Sequence, residues 1–173
     1  MSLNYTFATQ SFGSGPTSRG GELNAHPPKE EGSGRLLGVD LGSARIGLAL
    51  SDELGWMAHP LQTLKRSPES AQEIALIASE KKVTTIIVGL PRNMNGTYGP
   101  AAEHCQSFAK ELRQLTQATV ILWDERLTTA AAARRLHETG LNSKQQRSII
   151  DQVAAQQILQ DWMDAQSKIE DGR

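Results

Sequence analysis

The chain has 173 residues, of which 38% are hydrophobic, and a mean hydropathy of −0.41. No apolar run approaches the roughly 20 residues of a membrane span, and the N-terminus lacks the charged start and apolar stretch of a secretory signal. One cysteine, Cys105, excludes an internal disulfide framework and a thiolate metal cluster, so a cytoplasmic protein is expected. Lys and Arg number 18 against 19 Asp and Glu, a net charge of −1, which excludes nucleic-acid binding by bulk charge. Any such role needs a local patch or bound cations.

Residues 1–34 are rich in Gly, Pro and Ser, with Pro27, Pro28, Gly32 and Gly34 at their end and almost no apolar periodicity. Such a composition buries too little surface to offset the cost of ordering the chain, so a disordered extension is expected. From residue 35 onward the chain carries 16 basic and 16 acidic residues and is neutral. The apolar run Leu36–Asp40 predicts a strand, and Ile46–Asp52 a second one immediately after it. Trp56–Leu64 predicts a third, shorter strand. Pro68–Lys82 places Ala71, Ile74, Ala75, Ile77 and Ala78 at helical spacing. The β-branched run Thr84–Leu90 is short enough for a buried strand, and Pro91–Gly99, with Asn95–Gly96 inside it, is a loop. Ala101–Thr116 is an amphipathic helix with Phe108, Ala109, Leu112 and Leu115 on its apolar face. Val120–Glu125 is another buried strand, and Thr128–Thr139 a short alanine-rich helix stopped by Gly140. Ser143 with Gln146 forms a capping box for a last helix, along which Ile150, Ala154, Ile158 and Trp162 make a stripe with Val153 beside it. Three opening strands followed by β–α crossovers imply an α/β fold, a mixed sheet covered by helices. The folded domain is expected over 35–166, with 167–173 as a C-terminal tail.

Three acids stand where apolar elements end. Asp40 closes the first strand, and an acid in so apolar a run costs free energy unless a cation meets it. Asp124 and Glu125 close the last strand, and because side chains alternate only one of the two can face a given site. Asp151 lies at the edge of the last helix's buried stripe, and the small residues Ala154 and Ala155 one turn later would let that helix approach a sheet closely. Singly, each acid also reads as a turn former or a partner of a helix dipole. Together, at one end of adjacent elements, they would repel one another unless Mg²⁺ or Mn²⁺ enters, and such ions support phosphodiester cleavage. Zinc is disfavoured because His26, His59, His104 and His137 share no ligand spacing.

The segment Asp40–Leu41–Gly42, Arg45–Ile46–Gly47–Leu48–Ala49 and Ser51–Asp52 resembles the opening motif of the YqgF family. Val88–Gly89–Leu90–Pro91 with Gly96, then Asp124–Glu125–Arg126–Leu127–Thr128–Thr129, then Asp151–Gln152–Val153–Ala154–Ala155–Gln156–Gln157–Ile158–Leu159, resemble its later blocks in order. The likeness runs from about Arg35 to Met163. It implies a ribonuclease H-like mixed five-stranded sheet flanked by helices, and a nuclease that resolves Holliday junctions or processes the 5′ end of pre-16S rRNA in ribosome biogenesis. It further implies Asp40, Glu125 and Asp151 as the metal-binding catalytic acids, with Asp124 the alternative to Glu125. The two glycines after Asp40 would then serve a tight hairpin rather than a nucleotide.

Basic residues flank these acids. Arg45, Arg126, Lys144 and Arg147 are candidates for holding nucleic-acid phosphates, since a guanidinium grips phosphate in two places, while Arg134 and Arg135 read as solvated surface. Cys105 reads as core, and Trp56, Trp123 and Trp162 as packing rather than base-stacking residues. The expected activity is that of a Mg²⁺- or Mn²⁺-dependent endonuclease acting on structured RNA or branched DNA, as monomer or homodimer. Two readings compete with it. One is a non-catalytic nucleic-acid or ribosome-associated module. The other is an actin-like nucleotide phosphatase or kinase, against which stand the single domain and the missing adenosine loop.

Overall fold

The computed structural model describes residues 34–93, 96–124 and 144–171, with the backbone alone given at 144–147 and 170–171. The elements run β1 (Arg35–Leu41), β2 (Arg45–Ser51), β3 (Ala58–Lys65), α1 (Ser70–Glu80), β4 (Val83–Leu90), α2 (Pro100–Leu115), β5 (Thr119–Asp124) and α3 (Lys144–Asp171). The strands form one mixed sheet in the order β3-β2-β1-β4-β5. β2 lies antiparallel between β1 and β3, whereas β1, β4 and β5 run parallel. Short turns suffice for the antiparallel opening, and the parallel strands need crossovers, of which α1 and α2 are two. This is the ribonuclease H-like mixed sheet of five strands expected from the sequence. The extension at 1–33 and the alanine-rich stretch at 128–139, with its stop at Gly140 and the cap at Ser143, lie outside the described residues.

Each face of the sheet buries its own core. Leu37, Val39, Ile46, Leu48, Ile86 and Val88 point toward α1 and α2, where they meet Ile74, Phe108 and Leu112. Leu36, Ala49, Ala58 and Ile87 point the other way, onto Ala155, Ile158, Leu159 and Met163 of α3. Cys105 is buried in a smaller cluster with Leu90 and Ala102, as its sequence context indicates. Trp123 and Trp162 pack on the α3 core. Trp56 does not: it is 41% exposed in the β2–β3 connection, where its backbone N–H donates to Asp52 Oδ1. Val153 and Leu115 are also largely exposed rather than part of an apolar seam.

α3 grips the edge strand as well as the core. Gln156 Nε2 donates to the Ala58 carbonyl at 2.8 Å, and the Ala58 N–H donates to Gln160 Oε1 at 2.9 Å, so helix side chains satisfy backbone groups of β3 that face away from β2. The helix continues to Asp171, past the boundary at 166 and into the stretch expected to be a tail. No Gly or Pro interrupts it there, and the Ser167 hydroxyl donates to the Met163 carbonyl at 3.2 Å. No helix among the described residues is long and apolar enough to cross a membrane.

Candidate active site

Alternation along β1 puts Leu36, Gly38 and Asp40 on the α3 face. Asp40 is 5% exposed, the one buried charged residue among the described residues. Its partner across the β1–β2 ladder is Gly47. A Cβ on Gly47 would fall on the backbone carbonyl of Asp151, and a Cβ on Gly38 would meet the Ala155 carbonyl oxygen at 2.7 Å and Leu159 Cβ at 2.8 Å. Two strand glycines therefore let the helix backbone rest directly on the sheet, with Asp151 over the position beside Asp40. Two of the sequence-predicted acids are thus neighbours on one face. Gly42 alone serves the hairpin, its N–H donating to the Arg45 carbonyl at 2.9 Å. Gly47 sits inside β2 and makes room for the helix, which corrects its expected place in the turn.

Arg45, two residues from Gly47 on the same face, donates from Nε to Asp151 Oδ2 at 2.5 Å. The pair is half-buried, with side chains 33% and 23% exposed. It holds the Asp151 carboxylate at the sheet end and partly offsets the repulsion between two neighbouring acids. Arg66, just past β3, donates from Nη1 to the Gly42 carbonyl at 2.9 Å, and its N–H donates to the Ala44 carbonyl at 3.0 Å. The turn after Asp40 is therefore tied to β3.

At the far edge of the sheet, in β5, Val120 and Leu122 pack toward α2 while Trp123 packs toward α3. Asp124 accordingly points to the α2 side, away from the face that carries Asp40. There Arg92 Nη1 donates to Asp124 Oδ2 at 3.1 Å and Arg92 Nε to the Gly96 carbonyl at 2.5 Å, while the guanidinium lies over the Tyr98 ring at 4.8 Å from its centroid. Sequence reasoning passed over Arg92. Its one signal was position, directly after a buried parallel strand, where α/β sheets place their functional groups.

Glu125 and Arg126 lie outside the described residues, as do Arg134 and Arg135. Lys144 and Arg147 lie in the first turns of α3, where the backbone alone is described. Among the described residues no group of three acidic, histidine or cysteine side chains could hold a metal. Asp40 and Asp151 do supply hard oxygen donors from adjacent positions, and the buried Asp40 carboxylate fits a site for a hard divalent cation.

Comparison with known proteins agrees with this arrangement of motifs. Residues 34–165 match the RuvX family, described as Holliday junction resolvase. A protein of Halalkalibacterium halodurans named "Putative pre-16S rRNA nuclease" is 46% identical over 136 residues, covering 76% of this chain and 97% of that protein. A Bacillus thuringiensis protein of the same name is 45% identical over 135 residues, covering 76% and 98%. Among solved structures, T. thermophilus RuvC in complex with Holliday junction substrate is 13% identical, covers 77% of this chain and 95% of that chain, and superposes with a TM-score of 0.45. Matched by this family over residues 34–165, the chain belongs to the RuvX (YqgF) family of Holliday junction resolvases.

Proposed function

We propose that the chain is a divalent-metal-dependent endonuclease of the cytoplasm that hydrolyses phosphodiesters, in 5′-end processing of pre-16S rRNA or in resolving branched DNA. One observation carries the reading: the Asp151 backbone rests on Gly47, the ladder partner of Asp40, so two carboxylates share one wall at the sheet end. Asp40, Glu125 and Asp151 are the proposed ligands of Mg²⁺ or Mn²⁺. Strand alternation favours Glu125 over Asp124, because Asp124 is turned to the α2 side and held by Arg92. When bound, the ions would activate water and stabilise the charge that develops on the phosphate. Around them, Asp40 holds a fixed carboxylate in a water-poor position, and Arg45 orients Asp151 while keeping donors for a phosphate oxygen. Arg126, Lys144 and Arg147 are proposed phosphate contacts.

The test is cleavage of a pre-16S rRNA 5′ fragment and of a four-way DNA junction with Mg²⁺ or Mn²⁺. Wild type is expected to cut at least one of them and Asp40→Asn neither. Cleavage by Asp40→Asn at the wild-type rate, or cleavage in excess EDTA, would end the mechanism. The substrate that is cut assigns RNA or DNA.

A further inference from the structure

A neutral domain with two acids at its proposed reaction centre has no bulk attraction for a polyanion, so local contacts must hold the substrate. One corner of the sheet can supply them. Arg45 lies directly opposite Lys65 in the β2–β3 ladder, so both side chains leave the sheet on the α3 face. Arg45 is engaged by Asp151, whereas the exposed Lys65 ammonium has no carboxylate partner among the described residues. Arg66 follows at once, half-buried and fastened to the turn after Asp40 by its bond to the Gly42 carbonyl. The first turns of α3, which carry Lys144 and Arg147, start on the same side, since the Thr63 hydroxyl donates to the Ser148 carbonyl at 2.8 Å. Among the described residues, Asp40 and Asp151 are the acids at this corner. Glu69 lies three residues past Arg66, where the chain turns toward α1 and the opposite face.

We propose that the substrate strand leaves the acid pair across the open ends of β2 and β3, where Lys65 and Arg66 hold the phosphates next to the scissile one. The inference rests on the reading of the chain as a nucleic-acid enzyme and adds the direction of the strand and two contact residues. Lys65 is a point charge on a flexible stem and suits a phosphate whose sequence does not matter. Arg66 is already fixed by one N–H and presents its remaining donors from a set position. The shared chemistry is the phosphodiester backbone, from RNA or DNA.

The experiment measures equilibrium binding of the full chain to two fluorescent probes, a single-stranded pre-16S 5′ RNA and a four-way DNA junction. It is run in EDTA, where no turnover occurs, across a series of KCl concentrations. Each phosphate that is no longer neutralised should lower the slope of log K against log salt by about 0.7 on the single strand and about 0.9 on the junction. Lys65→Ala is expected to lose one such step, and Lys65→Ala with Arg66→Gln about two. Lys110→Ala, on the exposed side of α2, is expected to lose none. Lys65→Ala touches no backbone partner and alone decides the outcome if Arg66→Gln unsettles the turn. A wild-type slope in Lys65→Ala overturns this inference and leaves the nuclease reading standing. Failure of the wild type to bind either probe in EDTA also overturns this inference, whereas the nuclease reading falls only if neither substrate is cut with Mg²⁺ or Mn²⁺.

Discussion

Gly47→Ala tests the geometry of the site without touching a charged group. A methyl at this position would occupy the volume of the Asp151 carbonyl, a backbone atom with no rotamer to yield. Helix α3 would have to lift from β2 by about an ångström to restore van der Waals contact. The lift would also loosen Ala155, Ile158 and Leu159, all fully buried beneath the helix. Overpacking of this kind costs about 1–3 kcal/mol, and with backbone on both sides the upper end applies, about 3 kcal/mol. For a domain of this size that corresponds to a fall in Tm of about 10 °C. The same movement draws Asp151 away from Asp40, and an ångström of misplacement is worth about 100-fold in rate. The assays are thermal denaturation followed by circular dichroism, Mn²⁺ titration in a calorimeter, and cleavage. Gly99→Ala is the control, because its methyl would meet only the Asn93 side chain, at 3.4 Å. A Gly47→Ala protein with the Tm and Mn²⁺ affinity of the wild type would refute the argument that the helix backbone rests on that glycine.

Arg92→Gln should cost about 1 kcal/mol by breaking a half-buried ion pair, and should weaken Mn²⁺ binding if β5 presents the third acid. Calorimetry reads the metal and denaturant unfolding the stability, and unchanged values in both would remove Arg92 from the account. Asp161 is the acid for which a pH effect is expected. Burial pushes its carboxyl above the ordinary 3.8, the Gln157 amide pulls it back, and the Asp164 charge raises it further. The folded state then holds the proton more tightly than the unfolded chain, so stability falls as pH rises from about 3.8 through the raised value. Asp161→Asn, which lacks that titration, should gain in Tm relative to wild type over this window, and a gap that stays constant with pH would refute the assignment. Gln156→Ala together with Gln160→Ala strips the helix contacts from Ala58 and should cost about 1–3 kcal/mol in urea unfolding, with Mn²⁺ affinity unchanged.

The burial of Asp40 at a strand end was legible in the sequence because a single acid closes an apolar run, and the close approach of the helix at Asp151 because Ala154 and Ala155 mark a close-packed helix face. Within the described residues, strand and helix positions followed from periodicity. That Asp124 turns to the α2 side was not legible from alternation alone. Alternation says that Asp124 and Glu125 differ, but only the packing of Leu122 toward α2 and Trp123 toward α3 says which face is which. Arg92 was hidden because its partner lies 32 residues away across a crossover. The opposition of Lys65 to Arg45 was hidden by the register shift in β3 beside Leu48 and Ala49, which defeats counting along the strands. Trp56 was misassigned because a tryptophan in a short apolar run reads as strand core, and nothing local marks the turn bonded through Asp52.

The ion pair between Arg45 and Asp151 joins residues 106 positions apart. Proteins are made from the N-terminus onward, so the five described strands are all made before the helix that brings Asp151 beside Asp40. Until α3 is made, the chain has Asp40 but lacks Asp151, its proposed partner at the metal. Under the proposed mechanism such a chain cannot cut the RNA around it, and the order of translation itself delays the enzyme until α3 has been made.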